Sequence, residues 1–334
     1  MYSDEDIASA VKAGILTEKI ALAFRNHVAE EDSAPAIDEE SFRLITGFND
    51  IFVVIASLLL LSSVTWIGSS VNLLLGVALQ TISAWGLAEY FTRKRRMALP
   101  SIMLLLAFVG GVLLTGMTFL KTAGFTEEII IGGPSVIAAL AAWLHWLRFK
   151  VPITVAAGAG TLVAGIMFLL FAFVPEARQW LMLITFVSGI GVFCLAMFWD
   201  SADTLRQTRR SDVAFWLHLI AAPLIVHPIF AALDIFGTQI GIGQAAAVTV
   251  LYIILAIISI SIDRRALMVS ALIYVLYVFN SVLELYGVVS LGFAITAFII
   301  GSGLLLLSAY WHRCRQEIIV HYPLKIQKHL PKLR

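Results

Sequence analysis

The feature that most constrains this chain is a series of ten apolar runs, each long enough to cross a bilayer as a helix. A hydrocarbon core of about 30 Å needs about 20 consecutive apolar residues in helical conformation. The ten predicted spans, numbered in chain order, are 51–69, 71–91, 99–120, 129–147, 151–174, 180–199, 213–236, 244–262, 266–286 and 288–311. Charged residues make up only 13% of the 334 residues, about half the share in a soluble domain. The sequence therefore predicts an all-α polytopic membrane helix bundle with ten transmembrane helices.

Basic residues alternate from loop to loop and so test the number of spans independently. The loops after spans 2, 4, 6 and 8 contain TRKRR, RFK, TLRQTRR and DRR. The loops after spans 1, 7 and 9 contain no Lys or Arg, and those after spans 3 and 5 contain one each, Lys121 and Arg178. Because Lys and Arg accumulate on the cytoplasmic side of a membrane, this alternation predicts that both chain termini are cytoplasmic.

Three parts are predicted along the chain: an acidic cytoplasmic hairpin with its linker (1–36), the transmembrane domain (37–311) and a basic amphipathic tail (312–334). Gly14 is expected to end a first short helix and Thr17 to cap a second, which together form a small helical hairpin. The tail sets six basic residues against Glu317. Such a segment favours contact with anionic lipid at the membrane surface rather than with nucleic acid.

The N-terminal segment carries a resemblance to a known family. It reads AVKAGILTEKIALAF, is followed at a distance by FRLITGFNDIF, and leads into the long membrane region. This pattern resembles a bacterial family of inner-membrane proteins of unknown function, which also begin with a short cytoplasmic helical segment. The resemblance covers about the first 60 residues. It implies a bacterial inner membrane and a similar layout, and it carries no activity or binding residues.

Titratable side chains inside the spans are the main candidates for a functional site, because each costs free energy there unless it is paired or hydrated. Span 7 carries His227 near its middle and Asp234 near its outer end. These residues are seven apart, so they are expected on one helical face, together with Pro223, which leaves a backbone carbonyl free. A ligand or a proton can use such a face. The alternative is a kinked packing helix whose histidines bond neighbouring backbone groups.

Span 9 carries a second polar stripe, formed by Tyr277, Asn280 and Glu284. If spans 7 and 9 are in contact, Asp234 and Glu284 would form an acidic vestibule above His227. The alternative is that Glu284 simply reaches the membrane interface, where a carboxylate is hydrated.

Secondary candidates lie near the predicted cytoplasmic ends of spans 7, 4 and 2: His218, His145 and Glu89. His145 and His218 are expected at similar depths on different helices, an arrangement that suits a b-type haem. Single histidines near helix ends more often make interfacial hydrogen bonds, and haem is therefore only a minor alternative.

The sequence leaves two main functional hypotheses. The first is a secondary transporter or permease for a small solute, with His227 as the titrating group if transport is coupled to protons. The second is a membrane-anchored sensor or assembly protein whose N-terminal hairpin binds a protein partner. A membrane-embedded enzyme is a minor alternative, since no HExxH, GxSxG, P-loop or CxxC motif is present. Neither an enzymatic activity nor a resident cofactor or metal is expected.

Overall fold

The computed structural model describes residues 4–31, 48–204, 206, 208–235, 241–285, 292–327 and 329–331. Every regular element within these ranges is a helix, which confirms the predicted all-α class. Nine helices are long and apolar enough to cross a membrane. A further pair, Ala294–Ala309 and Trp311–Val320, is bent by 70° at its break and supplies a tenth span if it is counted as one. The fold of the described residues is a polytopic helix bundle with nine to ten spans.

The helices follow the predicted spans closely, with differences at their ends. The two N-terminal helices are α1 (Asp4–Lys12) and α2 (Glu18–Glu31). The spanning helices are α3 (Phe48–Ser69), α4 (Leu73–Ala88, continued by a π-helical turn over Glu89–Lys94), α5 (Ala98–Thr122), α6 (Glu127–Phe149), α7 (Ile153–Phe173), α8 (Leu181–Ser201, preceded by a 3₁₀ turn over Pro175–Trp180), α9 (Arg209–Ala232), α10 (Ile242–Ile262), α11 (Ala266–Leu285) and α12 (Gly292–Ala309). Two short helices follow, α13 (Trp311–Val320) and α14 (Leu324–Gln327).

Helix α9, which corresponds to predicted span 7, is the most buried of the described spans. It packs against α7, α8 and α11. Its residues Leu217, Ala221, Val226 and Phe230 are fully buried in the largest apolar cluster of the membrane unit. Two smaller clusters join α5 to α6 and the start of α7, and α3 to α4 and α5. Any polar group on the buried faces of α9 is therefore enclosed by protein rather than by lipid.

The chain divides into two compact units, Met1–Ser41 and Phe42–Arg334. In the first unit, Thr17 Oγ1 accepts a hydrogen bond from the Ile20 N–H at 3.3 Å, which confirms the predicted helix cap. Gly14 follows α1 with φ +73°, a conformation that side chains with a Cβ rarely adopt. The predicted boundary at residue 36 lies outside the described residues.

The C-terminal tail begins with α13, which packs against α10. Trp311, Arg315 and Ile319, spaced four residues apart, form its buried face. The prediction that the basic residues of the tail contact lipid is therefore wrong for Arg315, whose guanidinium is enclosed by protein. Arg313 is exposed, and its contact with anionic lipid stays a prediction. Three further basic residues of the tail lie outside the described residues: Lys328, Lys332 and Arg334.

Candidate functional site

A cluster of buried charged side chains lies where the α8–α9 connection, the α10–α11 connection and α13 meet. We call it the ionic cluster. Each of its side chains is 4% exposed or less. Its members are Asp200, Arg206, His218, Asp263, Arg264 and Arg315.

The first part of the ionic cluster is a two-pronged pair between Arg264 and Asp200. Arg264 Nε donates to Asp200 Oδ2 at 3.2 Å, and one of its terminal nitrogens donates to Asp200 Oδ1 at 2.7 Å. The same nitrogen lies 3.1 Å from both the carbonyl oxygen and the hydroxyl of Ser211. Parallel guanidinium–carboxylate bonds are short, strong and geometrically specific. This pair therefore joins the end of α8, the start of α9 and the α10–α11 connection.

The second part of the ionic cluster is centred on Asp263. Its carboxylate accepts hydrogen bonds from Arg206 at 3.0 Å and from Trp311 Nε1 at 2.8 Å. Arg315 Nε lies 3.8 Å from the same carboxylate, and a terminal nitrogen of Arg315 donates to the Pro331 carbonyl at 2.6 Å. Asp263 thus links the α8–α9 connection to α13, and Arg315 extends this network to Pro331.

Two members of the ionic cluster have left-handed backbone conformations. Arg206 has φ +53° and Asp263 has φ +59°. For residues with a Cβ this region costs free energy and persists where neighbouring contacts impose it. Here the hydroxyl of Ser259 donates to the carbonyl oxygen of Arg264, which helps to fix the turn after α10. The tight turns bring the charged side chains of both connections inward, where they pair with each other.

His218, a predicted candidate, lies in the ionic cluster. Its Nε2 is 3.6 Å from Asp200 Oδ2, and its ring meets Phe193 edge to face at 5.2 Å between centroids. Its Nδ1 has no hydrogen-bond partner among the described residues. The structure therefore places His218 beside a carboxylate that Arg264 already neutralises, rather than at a lipid or solvent boundary.

His145 lies in different surroundings from His218. It is fully buried among Trp85, Phe108 and Phe149, with the Phe149 ring centroid 4.5 Å away. Its Nδ1 lies 3.3 Å from Thr154 Oγ1. The hypothesis of a haem ligated by both histidines stays a minor alternative, and an aromatic enclosure with one hydroxyl partner is the arrangement observed.

Glu89, the remaining secondary candidate, takes part in a peripheral ion pair. It lies at the start of the π-helical turn that continues α4. Its two carboxylate oxygens accept hydrogen bonds from Arg148 at 2.7 and 3.1 Å, and Arg93 adds a third at 3.3 Å. Because these side chains are roughly one-third to one-half exposed, the pair fastens α4 to α6 at the edge of the bundle.

The main candidates on α9 are separated by the structure. His227 Nδ1 lies 2.8 Å from the Tyr274 hydroxyl of α11, so the two helices that correspond to spans 7 and 9 are in contact. The prediction that Asp234 continues the helical face of His227 is wrong, because α9 ends at Ala232 and Asp234 has φ +51°. Asp234 is exposed, and so is Pro223.

The polar stripe of α11 is described only in part. Tyr277 is exposed and Asn280 is half-buried. The backbone of Glu284 is helical, while its side chain lies outside what the structure describes. The acidic vestibule of Asp234 and Glu284 therefore stays a prediction.

A cavity of about 710 Å³ lies between α3, α4 and α5, towards the end of the bundle where α3 turns into α4. We call it the hydroxyl-lined cavity. The Oγ of Ser69 in its wall is buried without a hydrogen-bond partner among the described residues, and Gln80 Nε2 donates to the Ala107 carbonyl at 3.1 Å. Its polar lining residues are Ser62, Thr65, Ser69, Ser70 and Gln80.

The charged core of the ionic cluster was not predicted from the sequence. As sequence patterns, the segments TLRQTRR and DRR indicate topology only. A signal was nevertheless present, since Asp200 and Asp263 each end a span and each is followed within six residues by arginine. Which arginines turn inward depends on the loop conformation, and the sequence pattern does not reveal it.

No protein-family model, curated protein or solved structure matches this chain. The function of the protein is therefore inferred from the geometry of its own residues.

Proposed function

We propose that this integral membrane protein is a permease for a small, uncharged polar solute. The hydroxyl-lined cavity is the observation that carries the proposal. Hydroxyl and amide groups in a membrane bundle cost free energy unless they are hydrogen-bonded or hydrated. Thr65 and Ser70 donate to nearby backbone carbonyls, as Gln80 does, and Ser69 Oγ is buried without a partner among the described residues. The Ser69 hydroxyl and the free acceptor positions of the others, with no charged residue in the described lining, suit a neutral solute that forms hydrogen bonds.

The ionic cluster, which is formed by other helices than the hydroxyl-lined cavity, is given a second part in the proposal. Each successive spanning helix reverses direction, so the end of α3 and the end of α8 fall on opposite sides of the membrane. The ionic cluster lies at the end that the basic loops assign to the cytoplasm. A buried ionic network adds little net stability compared with apolar residues. We assign it the role of a closed cytoplasmic gate, which opens when the α8–α9 and α10–α11 connections separate.

Osmotic swelling of proteoliposomes tests the proposal with a panel of neutral solutes of increasing size. The full-length protein is reconstituted and exposed to urea, glycerol, erythritol and ribitol in turn. We expect at least one solute to enter faster than into empty liposomes. Replacing Gln80→Leu should slow that entry by roughly threefold to tenfold, as for the loss of one hydrogen bond.

A matched control is Thr118→Val, because Thr118 lies on α5, is half-buried outside the lining of the cavity and bonds only to the Leu114 carbonyl in the described contacts. Its entry rate should equal that of the unmodified protein. If every solute enters the proteoliposomes only as fast as it enters empty liposomes, the protein is not a permease for small neutral polar solutes. If solute enters through the Gln80→Leu protein as fast as through the Thr118→Val control, the cavity is not on the solute pathway.

Proton coupling through His227 is a finer part of the proposal. The Tyr274 hydroxyl lies 2.8 Å from His227 Nδ1, so it is the partner that would hand a proton to the ring or receive one from it. In liposomes that contain a pH-sensitive dye, solute entry should acidify the lumen, and His227→Gln should abolish the acidification. Solute entry without any pH change in the unmodified protein would show that transport is uncoupled from protons.

A second candidate function, partner binding by the N-terminal hairpin, is favoured by its exposed apolar residues. Ile15, Ile20, Leu22 and Phe24 are 77%, 55%, 59% and 45% exposed. A small two-helix unit that exposes so many large apolar side chains is typical of an interaction surface. The test compares cells that lack the gene, cells that carry it and cells in which residues 1–41 are deleted. If the deletion causes the same growth defect as loss of the whole gene while the swelling rates stay normal, the hairpin acts in assembly or sensing.

A further inference from the structure

A second cavity, which we call the α10–α12 cavity, lies between α10, α11 and α12 and has a volume of about 490 Å³. Its described walls are almost entirely apolar, and none of the described lining residues is charged. The hydroxyl groups in the lining come from Thr249 and Tyr252 of α10 and from Thr296 of α12. Its volume lies within the range of about 300–1,000 Å³ typical of sites for small molecules.

The three hydroxyl groups differ in their hydrogen bonds. Thr249 Oγ1 donates to the Ala245 carbonyl at 2.7 Å, as threonines in membrane helices commonly do. The Tyr252 hydroxyl and Thr296 Oγ1 are buried without a hydrogen-bond partner among the described residues. Thr296 is only 3% exposed. A buried hydroxyl without a partner is costly and uncommon, so two of them in one apolar cavity indicate a missing polar group of a ligand.

The depth of the cavity restricts the ligand further. Tyr252 lies ten residues after the first residue of α10, Ile242, which is about 15 Å along the helix axis and hence near the middle of the bilayer. A charged head group placed there would lose its hydration without a countercharge. A phospholipid head group is thereby disfavoured, whereas a small uncharged polar group is compatible with the site.

We propose that the α10–α12 cavity binds an uncharged lipid that has one long hydrocarbon chain and a single small head group able to donate and accept hydrogen bonds, such as a long-chain alcohol. The Tyr252 and Thr296 hydroxyls bind the head group, and the apolar walls from α11 and α12 enclose the chain. This site is formed by other helices than the hydroxyl-lined cavity. Its occupancy does not depend on whether the protein transports a solute.

Photolabelling of the full-length protein in lipid nanodiscs tests the proposal. The probe is hexadecanol that carries a diazirine in its chain, and the labelled peptides are identified by mass spectrometry. We expect labelling on α10–α12 that unlabelled hexadecanol competes away, while hexadecane and added phospholipid do not. Tyr252→Phe and Thr296→Val should each weaken the competition by about tenfold, because each leaves the head group with an unpaired partner.

Two further variants keep the test decisive. Thr249→Val is the matched control, since Thr249 lines the same cavity but its hydroxyl is bonded to backbone; its labelling should be unchanged. Gly303→Leu should block labelling, because Gly303 lines the cavity and a Cβ added there meets nothing within 4 Å. Thermal unfolding of each variant establishes that it is folded. The proposal is overturned if hexadecane competes as well as hexadecanol, or if Tyr252→Phe and Thr296→Val bind the probe like Thr249→Val.

Discussion

Asp200 and Asp263 are paired with the guanidinium groups of Arg264 and Arg206 inside a bundle that is otherwise mostly apolar. Removing such charges from water costs several kcal/mol per ion, and their mutual attraction offsets this cost only with good geometry. The two-pronged Asp200–Arg264 pair and the Trp311 hydrogen bond to Asp263 provide that geometry. We expect their main contribution to be specificity, because directed hydrogen bonds between charged groups select which connection packs against which.

The free energy of unfolding measures how much the fold loses when the buried Asp200 carboxylate has no arginine partner at Arg264. Arg264→Met leaves Asp200 buried without its two-pronged partner, so we expect a loss of about 3–5 kcal/mol. The double variant Asp200→Leu/Arg264→Met should regain most of that loss, because it removes the unpaired charge as well. Denaturant unfolding in detergent, followed by circular dichroism, measures both.

The control for this prediction is Arg148→Met, which breaks the ion pair with Glu89 at the edge of the bundle. That pair is partly exposed and Glu89 keeps Arg93, so the expected loss is much smaller than that of Arg264→Met, because solvent screens an exposed ion pair. Equal losses for Arg264→Met and Arg148→Met would mean that burial of the ionic cluster has no energetic consequence.

At the scale of helices, close approach depends on small residues. A Cβ added to Gly68 would lie 2.6 Å from the Gly76 Cα, so α3 and α4 touch backbone to backbone beside their connecting turn. Asn72 caps α4 in that turn, its Oδ1 accepting the Leu74 N–H at 2.8 Å. Ser69, in the same turn region, is in the wall of the hydroxyl-lined cavity. The glycine contact thus determines the shape of that cavity.

Replacing Gly76→Leu should separate α3 from α4 and lower the free energy of unfolding by about 1–3 kcal/mol, as expected for overpacking. It should also change the swelling rates of reconstituted liposomes. The matched control is Gly86→Leu on α4, because a Cβ added to Gly86 meets nothing within 4 Å. Denaturant unfolding compares the two. Equal stability of both variants would show that the two helices tolerate a wider separation.

At the scale of the whole molecule, the basic loops predict one orientation in the membrane. The α8–α9 and α10–α11 connections carry basic residues and meet α13 at the ionic cluster. The 70° bend before α13 turns the chain away from the direction of α12. This places Cys314, on α13, at the end that the positive-inside rule assigns to the cytoplasm, while Cys194 lies within α8.

A membrane-impermeant maleimide tests this orientation with the two native cysteines. Cys314 should react in inside-out membrane vesicles and not in intact cells. Cys194 should react in neither, since it lies within a spanning helix. The Cys314→Ser protein gives the background signal. Rapid labelling of Cys314 in intact cells would reverse the proposed topology, with both termini outside.

The sequence by itself determined the all-α membrane bundle, the approximate ends of its spans and the caps at Gly14 and Thr17. These properties follow from local composition, since an apolar run that crosses lipid as a helix satisfies its own backbone hydrogen bonds. Local pattern also singled out His218 and His227 as polar groups that needed partners.

Only the tertiary structure decided what those partners are. Asp200 meets Arg264 across 64 residues of sequence and His227 meets Tyr274 across 47, and such pairings depend on how helices pack and how loops turn. Helical spacing placed Asp234 on the face of His227, but the left-handed backbone at Asp234 removes it from that face. The cavities, likewise, are spaces between helices that no single segment encodes. Periodicity within one helix specifies which face is apolar, whereas the contacts between helices depend on the packing of many side chains at once.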